Sequence, residues 1–437
     1  MSKILLVLLT IASLLPAQTK KLSLSKSLEI GLLNSREIKI AKSELEYSLA
    51  SIDEITSQML PQLSFNASYT RFSDVPPFEV NVPVFPTPIK IQDAILNNYN
   101  LKMSLQQPIF TGFRLSSLKS SANLNAKASE LEHIESYNNK AMAISEAFWN
   151  FYRSQIKVNL LKESLSSLNN HLRDTQKFME NGLATKNDVL KIKVRAASLE
   201  ANLIDAKNLM KIAQSVLNKE LGFDTNTDTR IDAENHFIQM DFETLEELQN
   251  ESLNSRAELR SLDLRRQAGK NSIIAENSTW YPQIFAFGNF YYSNPNQRIL
   301  PIENKFNDTW DVGIALQWNL WDWGNTSAKS QKASQRVKQL ENNLELLIDA
   351  IKIDVYKNYL TANSSIQKVK VNELAVESSI ENYRITEEKY KQQLATSSEL
   401  IDAEVDVLSA KTNLTNAQVE MELAKLRLKK AIGRKIY

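Results

Sequence analysis

Few side chains in this sequence of 437 residues have a type and spacing that could do chemistry. The histidines could hold a metal ion or act as bases, but His133, His171 and His236 do not have the spacing of metal ligands. We expect them on the surface. Serine and threonine are frequent, yet no nucleophile elbow, glycine-rich phosphate loop or pair of catalytic carboxylates is present. The sequence therefore predicts no catalytic residue, metal site or cofactor, and a protein that is not an enzyme.

Acidic residues at two places in the chain are the remaining candidates. Asp188 is the first, and Glu399 and Asp402 lie three positions apart, which puts them on one face of a helix. A solvated helix face is the simplest interpretation. Where such carboxylates crowd together, mutual repulsion raises some of their pKa values.

Composition excludes several function classes. The chain has no cysteine, which excludes disulfides and thiolate chemistry. Lys plus Arg number 52 against 51 Asp plus Glu, so no basic excess indicates nucleic acid as a partner. Residues 1–17 combine Lys3, a short apolar stretch and Ala17, which predicts a secretory signal peptide, with a membrane anchor as the alternative. No later stretch has about 18 consecutive apolar residues, so we expect no helical membrane span.

Very long helices must position the candidate carboxylates. No proline occurs between Pro108 and Pro282 or after Pro301, and the whole chain contains only 9 glycines, so most helix breakers are missing. A helical pattern runs from Phe113 to about Asn181, which as one helix would be about 100 Å long. That length favours coiled-coil-like packing.

One structural unit occurs twice. Corresponding residues are 211 positions apart from the second strand of each copy onward, so that Leu183-Ala184-Thr185 matches Leu394-Ala395-Thr396, and 220 or 221 apart before it. On the helix that follows each of these segments, apolar residues step by four and three, which indicates a packing seam between the two helices of a hairpin. An ordinary amphipathic core helix is the alternative. The seam residues are Ile192, Ala196, Leu199, Leu203, Ala206, Met210, Ala213 and Leu217, and then Ala403, Val407, Ala410, Leu414, Ala417, Met421, Ala424 and Leu428.

Each copy also contains two segments of about ten residues in which apolar and polar residues alternate, as in strands with one wet face. We predict strands at about 62–72, 99–109, 283–293 and 309–320. Tilted strands of this length cross a membrane, but four cannot close a barrel, and an open edge in lipid leaves backbone groups unsatisfied. Several copies must therefore pool their strands.

The segments between and beside these strands carry further signals. Prolines in 73–98 and 293–308 predict irregular loops. Aromatic residues near the strand ends indicate an interfacial belt, with aromatic core packing as the alternative. These residues are Tyr69, Phe72, Tyr99, Phe110, Trp310, Trp318 and Trp321. The predicted organisation is a signal peptide at 1–17, a first repeat at 18–222, a linker at 223–242 and a second repeat at 243–437.

This plan resembles the TolC family of outer-membrane efflux proteins from about Leu22 onward. The resemblance is carried by the repeat, by Leu60-Pro61-Gln62 and Tyr281-Pro282-Gln283 ahead of the strands, and by the paired Leu-Ala-Thr segments. It implies a mainly α fold with membrane β-structure: a homotrimer in the outer membrane, in which each subunit gives four strands to a twelve-stranded barrel and long helical hairpins to a periplasmic tunnel. The linker and the C-terminus would form a belt around the tunnel.

The resemblance also implies partners and sites. A periplasmic adaptor, or membrane fusion protein, and an inner-membrane transporter would join the channel in passive export of drugs, metal ions or proteins. The adaptor would dock at hairpin tips formed by Gly182, Leu183, Ala184, Thr185, Leu394, Ala395 and Thr396. The pore constriction would involve Asp188, Tyr390, Glu399 and Asp402. Ala395 stands where the best-known relative has an arginine, so one charge-assisted bond of the closing network is missing.

Two other functions fit parts of the sequence. A periplasmic adaptor also has long helical hairpins, but it needs a glycine-rich lipoyl-like β domain, and none is visible. A structural coiled-coil protein of an export apparatus does not need two pairs of strands.

Overall fold

The computed structural model describes residues 21–232 and 243–437. The predicted signal peptide, residues 233–242 of the predicted linker and His236 lie outside these ranges. The helices are α1 Leu24–Asn34, α2 Arg36–Ser57, α3 Arg114–Glu180, α4 Lys186–Leu221, α5 Leu245–Ser255, α6 Ala257–Asn277, α7 Asn325–Lys391 and α8 Ser397–Ala431. The strands are β1 Gln62–Arg71, β2 Phe78–Val80, β3 Ile89–Gln92, β4 Asn97–Thr111, β5 Gln283–Asn294 and β6 Asn307–Gln317.

The described residues form two compact units. One comprises the chain up to Ala41, His133–Ala257 and Ile348–Tyr437, and it is helical. The other comprises Lys42–Glu132 and Glu258–Leu347, and it contains all six strands.

The two sequence repeats have nearly identical helices. Helices α3 and α7 each have 67 residues, and α4 and α8 have 36 and 35. The predicted seam packs as expected: in the first hairpin Leu199 and Leu203 of α4 contact a buried cluster that includes Val158 of α3, and in the second Met421 of α8 packs with Val369 of α7. No helix in the described ranges is both long and apolar enough to span a membrane.

The helical unit has its main core where α1 lies against α3 and α4. Phe148 and Leu221 are fully buried there, and Ile436 near the C-terminus joins them. The helices approach closely because Gly31 has no side chain: a Cβ at this position would lie 2.5 Å from Cδ1 of Ile144 and 3.1 Å from the carbonyl oxygen of Glu220. A larger residue at position 31 would therefore separate α1 from this core.

The other unit is built on one antiparallel sheet with the strand order β1-β4-β5-β6. The pairing of β4 with β5 joins the strands of the two repeats. The register aligns apolar residues with each other across the sheet, in rows such as Phe65, Met103, Phe290 and Trp310. The alternate rows are polar, as in Ser64, Ser104, Asn289 and Asp311. The sheet therefore has one apolar face and one mostly polar face, on which β5 nevertheless places Phe285, Phe287 and Tyr291.

The segment 73–98 differs from its prediction as an irregular loop. Strands β2 and β3 form a small hairpin within it, and β4 already begins at Asn97. The prolines that suggested a loop precede β2 or fall in the connection between β2 and β3, so they do not interrupt the pairing. Strand β4 also continues past Pro108, where the register with β5 shifts because proline has no N–H to donate.

Candidate functional site

The two hairpin tips have the same backbone design. In the first tip, residues 181–185, the N–H of Leu183 donates to the carbonyl of Phe178 over 2.7 Å, and Gly182 has φ of 75°. In the second tip, residues 392–396, the N–H of Leu394 donates to the carbonyl of Lys389 over 2.8 Å, and Gln393 has φ of 62°. This is the Schellman ending of a helix, which needs one residue in the left-handed conformation.

Each returning helix then begins with a capping box. The N–H of Thr185 donates to Oδ2 of Asp188 over 3.0 Å, and the N–H of Asp188 returns a bond to Oγ1 of Thr185. Thr396 and Glu399 repeat this arrangement, with a distance of 2.6 Å from the N–H of Thr396 to Oε2 of Glu399. These reciprocal bonds satisfy backbone donors that a helix start leaves free.

The capping bonds also set the protonation of both carboxylates. The side-chain and backbone hydrogen bonds from Thr185 hold the pKa of Asp188 below its usual range. For Glu399 the backbone N–H and then the hydroxyl of Thr396 lower the pKa in the same way. This direction is opposite to the one expected for a crowded acidic ring, because within one chain the carboxylates meet hydrogen-bond donors and not each other.

Gln393 pays a conformational cost that Gly182 avoids, because a side chain disfavours the left-handed conformation. We expect Gln393→Gly to stabilise the second tip by about 0.5–1 kcal/mol and to slow hydrogen exchange of its amides about threefold. Gly182→Gln is the matched reverse change and should speed exchange in the first tip. Deuterium uptake of peptides covering residues 181–185 and 392–396 measures both. Equal uptake in all three proteins would contradict this account of the tips.

Tyr390 lies inside the protein near the end of α7, two residues before the second tip, and packs against α3. Its hydroxyl shares a hydrogen bond of 2.7 Å with Oγ1 of Thr175, and its ring meets the ring of His171 edge to face at 4.8 Å. No hydrogen bond in the described structure joins Tyr390 to Asp188, whose carboxylate is held by Thr185. Burial, and to a smaller extent the charge of Asp188, raise the pKa of Tyr390. The constriction role of these two residues stays a prediction.

Asp402 is exposed in a groove between α4 and α8 with a volume of about 630 Å³. Lys191 and Arg195 line the opposite wall, and the ammonium of Lys191 donates to the hydroxyl of Ser398 over 3.3 Å. Glu399 is also exposed, one turn earlier on α8. Within one chain the acidic pair is therefore accompanied by two cations.

The residues at the tips present apolar side chains to solvent. Leu183 is 55% exposed and Leu394 is 72% exposed, while Ala184 and Ala395 are half-buried immediately before the capping threonines.

A polar stripe on α3, half-buried at Ser164 and Ser167 and buried at His171 and Thr175, escaped the sequence analysis. Ser164, Ser167, His171 and Thr175 follow each other at steps of three, four and four, which places them on one helix face. Each contacts a residue of the second repeat, for example Ser167 to the hydroxyl of Tyr383 over 3.1 Å and Thr175 to Tyr390. The spacing was the only available signal, and it does not distinguish a buried stripe from a solvated one.

The predicted surface position of the histidines was wrong for His171. This residue is buried, its Nε2 lies 3.5 Å from the hydroxyl of Ser397, and burial lowers its pKa to about 4. His133 is half-buried. Within the described residues, no group of three or more His, Asp or Glu is arranged to hold a metal ion.

Comparisons with known proteins agree with this architecture. The outer membrane protein TolC of Vibrio cholerae serotype O1 is 21% identical over 405 residues, which cover 92% of this chain and 88% of that protein. The crystal structure of the outer membrane protein VceC from Vibrio cholerae has a TM-score of 0.79 at 18% identity, covering 95% of this chain and 97% of the other. The Campylobacter jejuni CmeC outer membrane channel has a TM-score of 0.81 at 15% identity, covering 94% and 85%.

A family model described as outer membrane efflux protein matches residues 28–222 and 248–434, which include both repeats. This match decides between the channel and the two alternatives, an adaptor or a structural coiled coil, in favour of the channel. The chain therefore belongs to the outer membrane efflux protein family, whose members are exit channels of efflux systems in the outer membrane.

Proposed function

We propose that three copies of this chain form one outer-membrane channel, each contributing β1, β4, β5 and β6 to a closed barrel of twelve strands. The observation that carries this proposal is the uncovered apolar face of the four-stranded sheet. On β1 and β6 its residues are largely exposed, with Phe65 at 64% and Ile314 at 75%. In water such a face would be a liability, whereas in a bilayer it contacts lipid.

The polar face and the sheet edges support the same assembly. On the polar face, Ser104 donates to Asn289 over 2.8 Å and Asn289 donates to Asp311 over 2.7 Å. These side chains therefore form hydrogen bonds with each other, on the face that would point away from the lipid. Strands β1 and β6 each have one unpaired edge. An unpaired edge in hydrocarbon costs several kcal/mol for each free backbone group, and pairing β6 of one copy with β1 of the next removes that cost.

The aromatic residues at the strand ends fit an interfacial belt better than an aromatic core. Trp310, Trp318 and Trp321 are between 53% and 72% exposed, and the rings of Tyr69 and Tyr99 meet at a tilt, with centres 4.9 Å apart, at one end of their strands. Tryptophan and tyrosine are the residues that anchor a barrel at the headgroup level.

The mass of the purified particle tests the assembly. We expect the full-length protein, extracted in a maltoside detergent, to have the protein mass of three chains by light scattering. Asp308→Pro, at the pairing between β5 and β6, should weaken the barrel because proline cannot donate a ladder hydrogen bond. A stable water-soluble monomer of the unaltered protein would overturn the proposal.

Within this channel we further propose passive export, with a periplasmic adaptor docked at the tips and an inner-membrane transporter supplying the energy. The support is the exposed apolar tip turns and the family to which the chain belongs. Glu399 and Asp402 would line the periplasmic entrance, where copies related by threefold symmetry bring six carboxylates together.

We expect Glu399→Gln combined with Asp402→Asn to weaken cation preference and block by multivalent cations in planar-bilayer conductance. Glutamine keeps an acceptor for the capping box, so the variant removes charge and not the helix start. Asp188→Asn, which makes the equivalent change at the first tip, shows whether the effect belongs to the second tip alone. If the double variant conducts and is blocked like the unaltered protein, Glu399 and Asp402 form only a solvated helix face.

A further inference from the structure

A cleft of about 250 Å³ lies between α3, α7 and α8, on the polar stripe of α3. Its walls are largely apolar and come from all three helices: Leu160 of α3, Ile380 of α7, and Val407 and Leu408 of α8. All of these residues belong to the helical unit of a single chain. The cleft combines an apolar lining with one buried acidic group.

That acidic group is Glu404, whose residue surface is only 8% exposed. The hydroxyl of Ser164 donates to its Oε1 over 3.2 Å, and in the described part of the chain no basic side chain lies within ion-pair distance. Burial raises the pKa of this carboxyl to about 7, against the hydrogen bonds from Ser164 and Ser167 and the distant charge of Arg195, which lower it.

A buried carboxylate without a counter-ion is an unusual feature in a helix interface. Burying an acidic group costs free energy unless it is paired or protonated, and a hydrophobic residue at the same place would pack at no such cost. The other buried glutamate of this unit, Glu220, is paired directly with Lys140 at 2.8 Å. Among the described residues Glu404 therefore has no ion-pair partner, although Lys411 lines the same cleft, and its carboxylate has capacity for the cation of a ligand.

We propose that this cleft binds an organic ammonium ion, with the ammonium group on the carboxylate of Glu404 and the apolar body against the cleft walls. The volume sets the size of the ligand: a protein cavity of about 150 Å³ holds benzene, so about 250 Å³ accommodates one aromatic ring with a short aminoalkyl chain. The ligand would contact α3 of the first repeat together with α7 and α8 of the second, and it would stabilise their packing.

Isothermal titration calorimetry on the full-length protein in detergent at pH 8 tests the site, with 2-phenylethylammonium chloride as the probe. We expect saturable binding of this probe to the unaltered protein. 2-Phenylethanol, which has the same apolar part without the charge, should not bind with comparable affinity. Glu404→Gln should weaken binding about tenfold or more, because a charge-assisted hydrogen bond is lost. Glu163→Gln removes an exposed carboxylate at the rim of the same cleft and should leave the affinity nearly unchanged.

The pH dependence gives a second test that needs no variant. The ionisable groups that face Glu404 are Glu163 on α3, Tyr383 on α7, Lys411 on α8 and Arg195 on α4. Burial raises the pKa of Tyr383 above its usual value, so it stays neutral between pH 6 and 8. With its pKa at about 7, Glu404 is mostly ionised at pH 8 and mostly protonated at pH 6, so the probe should bind about tenfold more weakly at pH 6.

Each result decides for or against the site. Binding that depends on the charge of the probe, on Glu404 and on pH supports it. Absence of binding to the unaltered protein at millimolar probe, or equal affinity in Glu404→Gln at the same particle size, overturns it. Equal losses in Glu404→Gln and Glu163→Gln would also overturn it, because they indicate a diffuse surface charge effect and not a site.

Discussion

Substitution of both Ala184 and Ala395 by glutamate is expected to abolish export while leaving trimer assembly intact. Both alanines are half-buried at the turn that precedes a capping threonine, so a larger charged side chain must project from the surface that we assign to the adaptor. An acidic residue beside a helix N-terminus is compatible with the helix dipole, so the change should not disturb folding of the hairpins.

Export is measured as dye efflux from cells in which the chromosomal gene for this protein is deleted and which carry the variant gene instead. Assembly is measured as the mass of the purified particle. Ala201→Glu is the matched control, because it makes the same substitution at an exposed position of α4 away from the tips. It should export normally. Unchanged efflux in the tip variant would place adaptor docking elsewhere on the channel.

The second large effect is expected at a buried ion pair in the core of the helical unit. The ammonium of Lys140 lies 2.8 Å from Oε2 of Glu220 and 3.2 Å from Oε2 of Glu37, and Lys140 is buried. It thereby joins α3 to the end of α4 and the start of α2. Removing one partner of such a pair leaves a charge buried without compensation.

Lys140→Met should therefore lower the free energy of unfolding by about 2–3 kcal/mol. This is somewhat less than the roughly 3–5 kcal/mol that is usual for a broken buried pair, because Lys219 still contacts Glu220. The melting temperature should fall by about 3 °C. Adding Glu220→Met to this variant should restore most of the loss, since no buried unpaired charge then remains and the charges of Glu37 and Lys219 are exposed. A double variant that is less stable than Lys140→Met alone would show that the pair is not the origin of the effect.

The same cluster predicts acid sensitivity. The pKa of Glu37 is lowered to about 2 by its own backbone N–H, by the hydroxyl of Ser35 and by Lys140. Burial raises the pKa of Glu220, but the hydrogen bonds from Lys140 and Lys219 outweigh this and lower it. A group with a lowered pKa stabilises the fold above its ordinary value of 4.5 and loses that contribution as pH falls towards 2. Melting temperatures between pH 5 and 2 should therefore fall less steeply in the double variant than in the unaltered protein.

The sequence already contained the signal for the helix caps at the two tips, but we assigned the residues concerned to another role. Threonine followed three positions later by an acidic residue is the signature of a capping box, and it occurs at Thr185 with Asp188 and at Thr396 with Glu399. We assigned these carboxylates to a pore on the basis of resemblance. Capping and pore lining are compatible, but only the first is visible in a single chain.

The sequence by itself determined the long helices, the paired hairpins and the four long strands. The proline-free stretches, the apolar steps of four and three, and the alternation of apolar and polar residues are relations between residues a few positions apart. Such local relations hold wherever the rest of the chain lies. The repeat then doubled the signal, because each element of one copy predicted its counterpart in the other.

Only the tertiary structure decided the strand order and which polar side chains are buried. Ser164 and His171 meet Glu404 and Ser397, which lie 240 and 226 positions away, because α3 of the first repeat packs against α8 of the second. The repeat could not reveal this, since the residues 211 positions after Ser164 and His171 are Ala375 and Asn382. Periodicity shows that a helix has a polar face, but whether that face meets water or another helix depends on the partners that the fold brings to it.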